Sequence, residues 1–150
     1  MKRILAMAVC LLVIGLQGCD VSPKSSKGFR LPDGDADRGS EVFVKLYCHA
    51  CHHVSGADLE EPLARGPVDV ELGGKVTRVQ TYGELVTSII NPSHRLAEGY
   101  PMEEISKDGE SVMMNYNYIM TVQQLVDLVA FLQPQYQVVI PQYDYPLYHF

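Results

Sequence analysis

The chain has 150 residues, 47% of them hydrophobic and 20% charged, which is the composition of one globular domain and not of a disordered or fibrous protein. Twelve basic residues stand against 18 acidic ones, a formal charge of −6. That balance argues against nucleic acid, whose phosphates are bound through Lys and Arg, and points to a protein partner with a basic surface.

The apolar residues gather first at the amino end. Lys2 and Arg3 precede 13 uncharged residues, 4–16, which as a helix would span roughly 20 Å against a hydrocarbon core of ~30 Å. The segment therefore reads as a signal peptide over residues 1–18. Leu16-Gln17-Gly18-Cys19 resembles a bacterial lipobox. The resemblance implies cleavage before Cys19 and lipidation of that cysteine, with an ordinary secretory signal as the alternative. Asp20 resembles the signal that retains such lipoproteins at the inner membrane, so the implied location is its outer, periplasmic face, held by the lipid anchor. From Cys19 onward 10 basic and 18 acidic residues remain, a charge of −8. Residues 19–33, rich in Ser, Lys, Pro and Gly, read as a flexible tether.

A folded domain is expected over residues 34–134. Asp35 is placed to cap a helix whose apolar face is Val42, Phe43 and Leu46, and Gly39 would let a second helix approach closely. The helix leads into Cys48-His49-Ala50-Cys51-His52. With Cys10 lost in the signal and Cys19 lipidated, Cys48 and Cys51 are the only cysteines left to this domain. A disulfide or a thiol redox pair is one reading of C-x-x-C in an exported chain, but the histidine directly after it is the pattern of c-type haem attachment. Two thiols on one short turn can reach the two vinyl groups of a porphyrin, and the next imidazole then falls beneath the iron. A zinc site would need four ligands, and Cys48, Cys51, His52 and His53 are too crowded for one tetrahedron. His49 and His53 are expected to be solvated or to lie beside the haem propionates.

Gly39, Phe43 and the Cys48–His52 motif resemble the opening of a class I monohaem cytochrome c, and the likeness extends over about residues 33–134. It implies an all-α fold with N- and C-terminal helices crossing around one covalently bound haem c. It also implies that the Pro67 carbonyl, in Arg65-Gly66-Pro67, accepts from His52 Nδ1. Residues 82–92 have helical spacing in Leu85, Ile89 and Ile90 and resemble the family's middle helix. Gly99-Tyr100-Pro101 then opens the loop of the sixth ligand. Candidates there are Met102, Met113, Met114 and Met120, with His94 outside the pattern. Met113-Met114-Asn115-Tyr116 fits the family's Met-Pro-x-aromatic stretch with Met113 at the ligand position and Met114 in place of the proline.

The last helix, residues 121–132, opens on a Thr121/Gln124 capping box and carries Leu125, Leu128, Val129 and Leu132 on one face, with Phe131 at the family's aromatic position. Pro134 stops it. Residues 135–150 form a Tyr- and Pro-rich tail, too apolar to float free and too rich in proline for a helix. It should lie extended on its own domain or dock into a larger membrane complex. The function implied is single-electron transfer between redox partners by a tethered carrier that turns over no small-molecule substrate. A fixed haem subunit of an oxidoreductase complex and a haem sensor are the alternatives.

Overall fold

Asp35, in extended backbone, accepts from the Arg38 amide at 2.9 Å and so starts α1, Ala36–Lys45. Tyr47 ends it, turning the chain into the left-handed region at φ 64° and on into a 3-10 turn at Cys48–Ala50. The second helix, α2, covers Tyr82–Ile90 and opens on a reciprocal cap between Thr81 and Glu84. A single turn, α3, follows at Met102–Ile105, and α4 runs Val122–Leu132 behind the expected Thr121/Gln124 cap. This computed structural model describes residues 29–76 and 81–139.

The core lies where α1, α2 and α4 meet. Val42 and Phe43 of α1, Leu85, Val86 and Ile89 of α2, and Leu125, Leu128, Val129, Phe131 and Leu132 of α4 form one buried cluster with Val54. Phe43, 1% exposed, meets the edge of Phe131 at 5.8 Å between ring centroids. The two terminal helices cross at Gly39, where a Cβ would stand only 2.1 Å from the Asp127 carbonyl oxygen. On α2 the expected apolar face is one residue off: Val86 is buried, whereas Ile90 is exposed.

The domain is not all-α. Among the described residues six short strands form three two-stranded ladders: β1 (His52–Val54) parallel to β2 (Val70–Leu72), β3 (Gly74–Val76) parallel to β6 (Tyr136–Val138), and β4 (Ser106–Lys107) antiparallel to β5 (Glu110–Ser111). Each ladder pins a loop around the helices. The β4–β5 hairpin turns through Asp108 and Gly109, both at positive φ, as a two-residue primed turn requires.

The chain divides into two units, Met1–Arg30 and Leu31–Phe150. Only Phe29 and Arg30 of the first are described. The expected signal peptide, Cys19 and most of the expected tether lie outside the described residues, as do residues 140–150 of the tail. Leu31, inside the expected tether, is already packed against the core, and its amide donates to the Tyr82 hydroxyl at 2.6 Å. At the other end β6 belongs to the second unit, so that unit continues past residue 134. Among the described residues no helix is long and apolar enough to cross a membrane.

Candidate haem-binding site

The 3-10 turn and β1 together carry the motif. Cys48 and Cys51 are both free thiols, half-buried, on either side of Ala50. Burial pushes the Cys48 thiol up to about 11, countered in part by the neighbouring Tyr116 hydroxyl. Gly66 lies against the second thiol, where a Cβ would come within 2.1 Å of Cys51 Sγ. Its amide donates to the Ala50 carbonyl at 2.8 Å, and the Val70 amide donates to that of Cys51 at 2.8 Å. The segment 66–72 thus wraps the motif.

His52 begins β1, directly opposite Val70 on β2, and its Nδ1 donates to the Val70 carbonyl at 3.2 Å. The expected acceptor was the Pro67 carbonyl. The parallel ladder carries the chain three residues further before it turns alongside the ring, and Pro67 is left as an exposed residue on the cavity wall. Burial lowers the His52 pKa below the usual histidine value, offset in part by the Val70 carbonyl and by Asp69. The ring is therefore neutral near pH 7, and with Nδ1 protonated the lone pair sits on Nε2.

These residues open onto a cavity of about 700 Å³ that runs from the motif to the methionine loop. Its apolar wall includes Phe43, Leu46, Leu85, Ile89, Ile105, Leu128 and Leu132, and Pro67, Tyr100, Met113, Met114, Met120, Tyr116 and Tyr136 also line it. Met113 is half-buried there, held by its amide's bond to Ser111 Oγ at 3.2 Å. Met114 lines the same cavity but is 55% exposed. Met102 is exposed on α3, outside the cavity lining, and His94 is exposed with Nδ1 on the Asn91 carbonyl. Tyr116, the aromatic of the methionine stretch, is buried and donates to the Leu46 carbonyl at 2.9 Å, tying that loop to the end of α1. Burial pushes its phenol up to about 12.

The two flanking histidines part company. His53 is exposed and pairs with Asp69 at 2.9 Å. His49 is 5% exposed and edge-on to the Tyr47 ring at 5.0 Å, so of the two placements expected for it the solvated one does not hold. Among the described residues no three His, Cys, Asp or Glu side chains converge as metal ligands.

The residues present suit a c-type haem. The cavity falls in the ~300–1,000 Å³ range of sites that engulf a cofactor, it is predominantly apolar, and it brings two thiols, a neutral imidazole and a thioether to one space. The family model for cytochrome c matches residues 36–135, two thirds of the chain, and the protein belongs to the cytochrome c family. No curated protein and no solved structure gives a significant match. Family membership makes it a haem-based electron-transfer protein. Two site features escaped the sequence reading. The Val70 acceptor is a backbone carbonyl and carries no residue signature, and Tyr136 was read only as part of the tail.

Proposed function

We propose that the chain is a class I monohaem cytochrome c, tethered through lipidated Cys19 to the outer face of the bacterial inner membrane, that passes single electrons between redox proteins. Cys48 and Cys51 would hold the haem through thioethers, and His52 Nε2 and the Met113 sulfur would bind its iron. So held, the haem would supply a one-electron couple. The observation that carries this reading is the shared cavity of Cys48, Cys51, neutral His52 and half-buried Met113. Val70 fixes the tautomer and orientation of His52, Tyr116 steadies the methionine loop, and the apolar wall keeps water out.

Acid-acetone extraction should leave the haem on the denatured polypeptide, and a pyridine haemochrome spectrum of b type overturns covalent attachment. Met113→Ala should abolish the weak near-infrared sulfur-to-iron band of the oxidised protein while leaving the haem attached. Loss of that band only in Met114→Ala moves the ligand by one residue. The fixed-subunit reading draws on the aromatic tail and predicts that removal of residues 140–150 ends co-purification with a membrane complex.

A further inference from the structure

We propose that the segment following the last helix is a strap across the haem cavity, in which the Tyr136 ring keeps water away from the haem and so holds its reduction potential up. This rests on the placement of a haem in that cavity. The family match ends at residue 135, and Tyr136 is the first residue beyond it. Instead of leaving the domain, the chain turns through Gln133–Gln135 and pairs as β6 with β3, Tyr136 opposite Gly74, and the Val139 amide extends the ladder to the Val76 carbonyl at 2.8 Å. The pairing sets Tyr136 into the cavity wall together with Gly73, Lys75 and Val76.

The approach of the two segments is closer than any other residue at Gly73 would permit. A Cβ there would lie 2.8 Å from Gln135 Cβ and 3.0 Å from the Gln135 carbonyl oxygen, and Gly73 and Gly74 both sit at positive φ, +83° and +72°. The Tyr136 phenol is raised above its usual value by burial, countered in part by the Gly73 backbone, as a ring turned into the protein should be. An oxidised haem carries one more positive charge than a reduced one, and water stabilises the charged form. A ring that excludes water on this side therefore favours reduction.

The test uses the full chain with its haem. Tyr136→Ala should keep covalent haem and shift the one-electron equilibrium toward the oxidised form by about tenfold, a potential about 59 mV lower. Tyr136→Phe, which keeps the ring, should stay within about twofold of wild type. An unmoved potential in Tyr136→Ala, or an equal fall in Tyr136→Phe, overturns the strap's role while the haem site stands. Absence of covalent haem from the wild-type chain overturns the site and the strap together. A measurement independent of how the variants fold is hydrogen exchange in the wild-type protein with its haem. The Val139 amide should exchange slowly, and exchange at the rate of an unstructured chain refutes the strap.

Discussion

Asp127 sits in the middle of α4, 2% exposed, and directs both carboxylate oxygens at groups that need an acceptor. Oδ1 accepts from the Asp35 amide at 2.9 Å, from Arg38 Nη2 at 3.1 Å and from Gln123 Nε2 at 3.0 Å, while Oδ2 accepts from Arg38 Nε at 3.0 Å. The Arg38 hydrogen bond, then that of the Asp35 amide, holds the carboxyl below the usual carboxylate range. A depressed folded pKa contributes stability that is fully present above the unfolded value and is lost as pH falls through the folded one. Urea unfolding at about pH 7 and about pH 3 should thus show wild type losing more stability on acidification than Asp127→Asn, and parallel losses would refute the linkage. An acid at position 127 interrupts an otherwise apolar helix face, and nothing in the sequence says that its partners lie some 90 residues earlier at the cap of α1. The Val70 carbonyl was hidden for a related reason, since any residue type supplies a carbonyl. Cys48, Cys51 and His52 were legible because covalent attachment demands those side chains at that spacing.

α1, α2 and α4 were legible as elements because each carries a face of periodic apolar residues, whereas α3, four residues long and without a side-chain cap, was not. Asp35, the Thr121/Gln124 box and the Leu125–Leu132 stripe all perform as their chemistry requires. The strands were not legible: two or three residues are too few for a period of two to show, and the parallel ladders form only because loops distant in sequence are laid side by side. The Asp108-Gly109 hairpin did carry a local signal, yet its surroundings of charged residues read as exposed loop. The helix crossing makes the sharpest prediction at this scale. Gly39→Ala puts a methyl into the Asp127 backbone, so the helices must separate, at a cost of about 3 kcal/mol and a Tm lower by roughly 10 °C or more. A calorimetric scan with Tm unchanged would show that the crossing is looser than described. Thr121→Ala removes one half of a cap at the entrance to α4 and should cost about 1 kcal/mol in denaturant unfolding, with the near-infrared band retained.

For the molecule as a whole, charge would govern an encounter with the redox partner proposed above. The chain carries −6, and −8 from Cys19 onward, so a partner with a basic patch would be attracted from a distance comparable to the Debye length, about 10 Å at 0.1 M salt. Such steering acts on encounter more than on the bound complex, so it shows in the association rate. Apolar residues around the methionine loop would add a contact that salt does not screen: Met114 is exposed beside the cavity, and Tyr118, 92% exposed, and Ile119 follow it on the way to α4. The two contributions predict different responses. With a basic redox partner, the bimolecular electron-transfer rate should fall several-fold between about 0.02 and 0.2 M salt and then level off at a floor set by the apolar contact. Met114→Ala should lower the floor and leave the salt dependence intact. Stopped-flow oxidation of the reduced protein measures both. A rate that rises with salt for a basic partner contradicts electrostatic steering, and a salt-independent rate would assign encounter to the apolar surface alone.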